Sequence, residues 1–137
     1  MTTNHYRNAV GALLVYDVSN EDSFNNLEYW LEKLKENLDP YALIGLCANK
    51  VDIMFTSPEQ REVLKEQGMQ FARQNQLFYL DEMSALSDIM VKETFQGLIQ
   101  GIYNIQKQLI EKGLKDENDL KCKDEDISLN YEHRCCY

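Results

Sequence analysis

Asn49, Lys50 and Asp52 form an N-K-x-D pattern directly after an apolar run. The Asp52 carboxylate could accept hydrogen bonds from both N1–H and the exocyclic amine of guanine, a donor pair that adenine lacks. A charged hydrogen bond of this kind contributes about 1.5 to 3 kcal/mol, and adenine would leave the carboxylate unpaired. Asn49 would face N7, and the alkyl stem of Lys50 would lie over the base. The pattern therefore predicts a loop that reads guanine.

A second polar loop bears on this interpretation, because a short pattern with three fixed positions also recurs by chance as an ordinary turn. Ser84 and Ala85 follow the next predicted strand, and the backbone N–H of Ala85 could donate to guanine O6. Loops that leave the carboxyl ends of parallel strands lie at one edge of a sheet. The two loops are therefore predicted to converge on one ligand.

Apolar runs alternate with segments of helical period along the chain. Three runs are almost continuously apolar, which is typical of strands covered on both faces of a parallel sheet. These predicted strands are residues 9–16, 42–48 and 77–80. Strand and helix alternation predicts a three-layer α/β domain with about three parallel strands flanked by helices.

Helix boundaries are indicated by capping and stop residues. Ser19 is predicted to cap a helix that ends before Pro40, and Ser57, followed by proline, to begin one that reaches Asn75. The third helix covers about 89–112 and is followed by a glycine. Apolar residues at helical spacing are predicted to face the core. They are Phe24, Trp30, Val91, Phe95, Leu98, Ile99, Ile102, Tyr103 and Ile110.

Composition limits the possible partners. The 137 residues carry a net charge of −9 without a basic cluster, which argues against a nucleic-acid partner. No apolar stretch approaches the roughly 20 residues of a membrane span, and the start of the chain lacks a signal-peptide pattern. We therefore expect a cytoplasmic protein. The four cysteines have neither zinc-site nor disulfide spacing, and Cys47 is expected to be buried and inert.

Carboxylates at strand ends offer an alternative chemistry. Asp17 ends the first predicted strand, and Asp81 and Glu82 follow the third. Such groups could perform acid–base catalysis or could be solvated or capping carboxylates. Residues 114–137 are charged and without period, so we expect a domain over 1–113 and a flexible tail beyond it.

Several segments together resemble Rab-type small GTPases of the Ras superfamily. HYRNAVGALLVYDVS (5–19) is similar to the Y-Y-R-G-A and L-V-Y-D-I-T segments of that family. SFNNLEYWL, CANKVD, REVLKEQGMQFA, EMSAL and the closing cysteines follow in family order. The resemblance covers roughly residues 3–113 and the terminus. It implies an incomplete small-GTPase fold of the P-loop NTPase type, with 1–113 as a partial domain.

The resemblance also assigns site residues. Asn49, Lys50 and Asp52 would be the guanine-recognition loop, and Ser84, Ala85 and Leu86 the second base loop. The family usually has threonine at Met83 and glycine at Asn8, Ala48 and Gln76. Glutamine at 76 is expected to be modestly strained where a helix-ending glycine would use positive φ. Gly68, within a predicted helix, is expected to weaken that helix by about 1 kcal/mol relative to alanine.

The family's phosphate-binding elements are absent from this sequence. Glycine occurs only at positions 11, 45, 68, 97, 101 and 113, and no G-x-x-x-x-G-K-[ST] pattern is present. The resemblance implies GTP or GDP with Mg²⁺, but the phosphate and metal ligands are not found here. We assign no catalytic and no metal-binding residue, and expect weak or no nucleotide binding and no GTP hydrolysis by this chain alone.

Cys135 and Cys136 lie next to the terminus, where Rab-type proteins carry two geranylgeranyl groups. The resemblance therefore implies prenylation machinery and trafficking effectors as partners and a lipid anchor on the cytosolic face of intracellular membranes. Unmodified thiols are the alternative. The functional expectation is vesicle traffic by a Rab-like protein. The alternatives are a non-catalytic decoy that binds Rab partners, a truncated gene model, a splice form or degenerate paralogue, or a chain completed by another polypeptide. A flavodoxin-like domain has little support, because no phosphate-cradling loop follows the first strand.

Overall fold

A computed structural model describes residues 9–116 of the chain. Three strands, β1 Gly11–Asp17, β2 Leu43–Asn49 and β3 Phe78–Glu82, form the sheet. The helices are α1 Glu21–Asn25, α2 Leu27–Lys35, α3 Ile53–Thr56, α4 Lys65–Asn75 and α5 Val91–Glu111, with a 3-10 turn at Pro58–Gln60. Most of the predicted tail, residues 117–137 with both terminal cysteines, lies outside the described residues, so the predicted domain boundary at 113 stays a prediction.

The sheet is parallel and has the strand order β1-β2-β3, which confirms the predicted α/β class. Gly11 to Asp17 pair in register with Leu43 to Asn49. Among the described strands β1 pairs with β2 alone, so β1 is an edge of this sheet. The β2–β3 ladder is irregular between Leu46 and Ala48.

Two faces of the sheet are covered by different helices. Alternate residues of each strand point to opposite faces, and Leu14, Tyr16 and Leu46 face the main core beneath α1, α2 and α4. On the other face, α5 places Leu98 over Gly45. The helices of both crossovers therefore lie on one face and α5 lies on the other, which gives the three layers that the sequence predicts. No helix in residues 9–116 is long and apolar enough to cross a membrane.

Two helix predictions are wrong in detail. The first helix is capped by Asn20, whose side chain accepts a hydrogen bond from the Ser23 amide, while Ser19 instead bonds to Asp17. This helix is also interrupted after Asn25 and ends at Lys35. Ser57 and Pro58 begin only the short 3-10 turn, because residues 61–64 are not helical and Val63 is buried there.

The predicted core is correct for Leu98, and Phe24 packs against the core as a partly buried residue. Trp30, Phe95 and Ile99 are wrong, with 41%, 49% and 50% of their surface exposed. Phe95 and Ile99 lie one turn apart on the same side of α5. One turn further along that side, α5 lies against Gly11 of β1, which is the edge strand. No further strand of the described sheet extends beneath them, which explains their exposure.

Positive φ at Gln76 confirms the predicted strain. Gln76 ends α4 in the left-handed conformation, with φ 58° and ψ 40°, and its amide donates to carbonyls of the last turn. Gly113 likewise has φ 67° just beyond α5, as a helix-ending glycine should.

Alkaline pH is expected to destabilise the fold, because two core groups resist ionisation. Burial raises the pKa of the Cys47 thiol to about 12. Burial, and then the nearby Glu82 charge, raises the pKa of Tyr16 to about 12. In the unfolded chain these groups ionise near pH 8.5 and pH 10, so the unfolded state loses protons first. Each group should lower the free energy of unfolding by up to about 1.4 kcal/mol per pH unit between those values and pH 12.

Urea unfolding midpoints from pH 7 to pH 11 measure this effect. Cys47→Ala is the matched control, because it removes the group with the lower unfolded pKa. In that variant the decline should begin about 1.5 pH units later than in the wild type. An identical onset in both proteins would show that Cys47 ionisation does not contribute.

Candidate functional site

Loops at the carboxyl ends of all three strands meet at the same end of the sheet. Asp17 lies beside Asn49 in the β1–β2 register, and Ala48 lies beside Glu82 in the β2–β3 pairing. The chain then continues from Asn49 into the N-K-x-D loop and from Glu82 into the Met83–Leu86 loop. The sheet register therefore brings both sequence-predicted loops to the same place.

Side chains connect the two loops directly. The Asn49 Oδ1 atom accepts a hydrogen bond of 3.0 Å from the Ala85 amide. The buried Ser84 hydroxyl donates to Asp52 Oδ1 at 2.5 Å and accepts from the Ser87 amide at 3.1 Å. Four of the six predicted site residues thus form two bridges, each between residues more than thirty positions apart in the sequence.

Backbone hydrogen bonds around Met83 hold the same arrangement. The Met83 amide donates to the Ala48 carbonyl at 2.8 Å, and the Met83 carbonyl accepts from the Val51 amide at 3.2 Å. These two bonds bracket Asn49 and Lys50. Met83 is buried at a position where the resemblance implies a threonine, and its apolar side chain fills core space and leaves this backbone pairing intact.

Lys50 adopts a left-handed backbone conformation, with φ 68°. Its ammonium Nζ lies 2.5 Å from Asp17 Oδ2. Partial burial tends to raise the pKa of Asp17, but hydrogen bonds from Lys50 and Ser19 outweigh it, so the pKa is lowered. The hydrogen bond to Asp17 raises the pKa of Lys50. The ammonium group of Lys50 is therefore held by Asp17. The position of its alkyl chain over a guanine base stays a prediction.

Ion pairing accounts for the three strand-end carboxylates. Asp17 binds Lys50, Asp81 binds Lys65 and Glu82 binds Arg61. Each carboxylate therefore has a structural partner, which favours the structural over the catalytic interpretation of these residues. The pairing of Asp17 with Lys50 was not predicted from the sequence, although the place of Asp17 beside Asn49 follows from pairing the two predicted strands in register.

The site differs from the simplest sequence prediction at two residues. The Ala85 amide, predicted to donate to guanine O6, donates to Asn49 Oδ1, so a base would have to share or displace that bond. The Leu86 side chain is 86% exposed and points to solvent, away from the other five predicted site residues. Asp52 keeps acceptor capacity, because each carboxylate oxygen offers two lone-pair positions and Ser84 uses one. The arrangement can therefore present a carboxylate and an amide side chain to a planar base.

Metal ligands are not gathered at this end of the sheet. Within residues 9–116 no group of three histidine, cysteine, aspartate or glutamate side chains is placed to hold a metal ion.

Comparison with known proteins gives a consistent set of matches. The Ras family profile matches residues 1–104. The chain is 38% identical over 105 residues to Ras-related protein RGP2 of Oryza sativa subsp. japonica, and 39% identical over 105 residues to Ras-related protein Rab11A of Lotus japonicus. It is 38% identical over 105 residues to GTP-binding protein ypt3 of Schizosaccharomyces pombe. These alignments cover 77% of this chain but 46%, 44% and 47% of the respective relatives, so the chain spans about half their length.

Proposed function

The chain belongs to the Ras family and is similar to its Rab-type members, and from that premise we propose that it reads guanine nucleotides through their base alone. In this proposal the Asn49–Asp52 loop and the Ser84–Ala85 loop recognise guanine. Leu86 would contribute its backbone to the second loop, since its side chain points to solvent. The biological setting would be vesicle and membrane traffic, as for a Rab-like protein.

The observation that carries the proposal is the pair of bridges between the two loops. Asn49 bonds to Ala85 and Asp52 bonds to Ser84, so the amide and carboxylate that would face guanine are fixed relative to each other. Fixing both groups before binding reduces the entropy that recognition must overcome. A solvated polar turn does not require such contacts between distant segments.

Base preference tests the proposal. Titrating the ¹⁵N-labelled chain with GMP and with AMP should shift the amides of Asn49, Ser84 and Ala85 with GMP only. Without phosphate contacts we expect a Kd for GMP of about millimolar, near −4 kcal/mol. Asp22→Asn, which removes an exposed carboxylate in α1, is the matched control and should respond as the wild type. Equal shifts with both nucleotides would exclude a guanine-reading site.

Phosphate binding and GTP hydrolysis are not part of the proposed activity of this chain. The glycine-rich phosphate loop pattern is absent from the 137 residues, and backbone donors of that kind supply most of the family's phosphate contacts. The alternative is a non-catalytic module that engages Rab partners without a nucleotide cycle. Nucleotide titration separates the two, because the module requires no GMP binding.

The tail would attach the protein to the cytosolic face of intracellular membranes. Cys135 and Cys136 are the proposed geranylgeranylation sites, and two lipid chains are sufficient for stable anchoring where one is marginal. The acidic residues of the tail would weaken rather than strengthen attraction to anionic lipid. Prenylation machinery and trafficking effectors are the corresponding proposed partners.

Replacing Cys135 and Cys136 together with serine is expected to move the protein from the membrane to the cytosolic fraction. The cause would be loss of both lipid chains, each buried CH₂ contributing about 0.8 kcal/mol. Fractionation of cells that express each form measures the distribution, and Cys122→Ser is the matched control. Unchanged partitioning of the double variant would exclude the proposed anchor.

A further inference from the structure

Arg61 forms a largely buried ion pair with Glu82, the residue that precedes the second loop. Its guanidinium binds the Glu82 carboxylate with both terminal nitrogens, Nη2 to Oε1 and Nη1 to Oε2, and the second distance is 3.3 Å. Only 12% of each side chain is exposed. The Arg61 Nε atom also donates to the Val63 carbonyl at 2.7 Å, which fixes the orientation of the guanidinium plane.

The segment that carries Arg61 is itself tied to the end of β1. The amides of Glu62 and Val63 both donate to the Val18 carbonyl, at 2.9 Å and 3.0 Å. The Glu62 carboxylate accepts a hydrogen bond of 2.8 Å from the Glu21 amide at the start of α1. Arg61 therefore projects from a point that is fixed relative to the sheet, although its segment is not helical.

Regular strand pairing does not by itself fix the position of Glu82. The β2–β3 ladder is irregular next to Glu82, and Asp81 has φ 69°. An irregularity of this kind re-aims the strand that carries it. The next residue, Met83, is the one whose backbone brackets Asn49 and Lys50. Holding the Glu82 side chain therefore fixes the direction in which the chain enters the second loop.

We propose that Arg61 is a positioning residue for the guanine-reading loops and acts on them through Glu82. Arg61 holds Glu82, and Glu82 is followed in the chain by Met83. The Met83 backbone bonds to Ala48 and Val51, which lie on either side of Asn49 and just before Asp52, the residues that form the two bridges. The inference rests on the proposed function for its consequence in base recognition. The positioning itself is a property of the ligand-free chain and is measured without nucleotide.

Amide hydrogen exchange at Ala85 is the direct readout, because this amide donates to Asn49. Arg61→Met should accelerate its exchange by about tenfold or more, as expected for the loss of charged hydrogen bonds to a buried partner. Arg61→Lys keeps the charge but not the paired geometry and should have a smaller effect. Glu82→Gln, which preserves shape, is a second variant that tests the same step if Arg61→Met does not fold.

A control variant separates positioning from general stabilisation. Leu34→Ala lowers stability from a buried site on α2, and it should accelerate Ala85 exchange only as far as global unfolding does. Denaturant is adjusted so that this variant and Arg61→Met have equal global stability. Faster Ala85 exchange in Arg61→Met under these conditions supports the inference. Equal exchange in the two variants would overturn it.

Titration with GMP and AMP then links positioning to recognition. The Arg61→Met chain should lose the GMP preference of the wild type, and Leu34→Ala should keep it. A wild type that shows no preference for GMP would refute the proposed function, while the ligand-free exchange result would still decide the positioning role of Arg61.

Discussion

Gly68→Ala is expected to destabilise the protein by about 1 to 2 kcal/mol, although alanine is by about 1 kcal/mol the better helix former. A Cβ atom at this position would lie 2.3 Å from the Tyr16 hydroxyl oxygen and 3.2 Å from Cζ. Tyr16 is 1% exposed, and its ring packs edge to face on Phe24, so it has little room to move. Urea unfolding measures the difference.

Tyr16→Phe provides the matched rescue. The Tyr16 hydroxyl has no hydrogen-bond partner among the described residues, so its removal alone should be close to neutral. In the Tyr16→Phe background, Gly68→Ala should cost at least about 1 kcal/mol less than in the wild type. A Gly68→Ala protein as stable as the wild type would show that helix propensity outweighs the contact with Tyr16.

Asp52→Asn is expected to weaken GMP binding by about tenfold or more and to leave AMP binding unchanged. The amide keeps an oxygen that can accept from Ser84, so the loop bridge should survive. It replaces the second acceptor with a donor, which opposes the N–H groups of guanine and removes a charged hydrogen bond of about 1.5 to 3 kcal/mol. Amide shifts during nucleotide titration give both affinities.

The bridge provides an internal check on this variant. If the Ala85 and Ser84 amide shifts of ligand-free Asp52→Asn match those of the wild type, the conformation of the loops is unchanged. A loss of GMP preference is then caused by removal of the carboxylate itself. Retained GMP preference would instead place base recognition elsewhere. Asp22→Asn again controls for the change in charge.

Strand positions were predictable from sequence because β1 and β2 contain almost no polar residue, which is typical of strands in a parallel sheet flanked by helices. The place of the site followed from them, since parallel strands deliver their loops to one edge. The end of β3 was less clear, because the charged residues Asp81 and Glu82 were predicted to lie in a loop. The strand continues through them, and their carboxylates form ion pairs with Lys65 and Arg61. Local sequence does not reveal partners twenty residues away.

Side-chain exposure was less predictable than strand position. Helical spacing placed Trp30, Phe95 and Ile99 in a core, but spacing shows only that residues share a face of a helix. Whether that face is covered depends on the width of the sheet, and the described sheet ends at β1. Gly68 shows the same limitation, because a residue predicted to weaken its helix provides the space for Tyr16.

Comparing GDP with GMP on the 137-residue chain tests the central claim most directly. If the base loops act without a phosphate site, the two nucleotides should bind within about threefold of each other, with Kd values far weaker than micromolar. Calorimetry or amide titration measures both. A Kd for GDP of about micromolar or tighter, near −8 kcal/mol, would contradict the account, because contacts to the base alone do not supply that affinity.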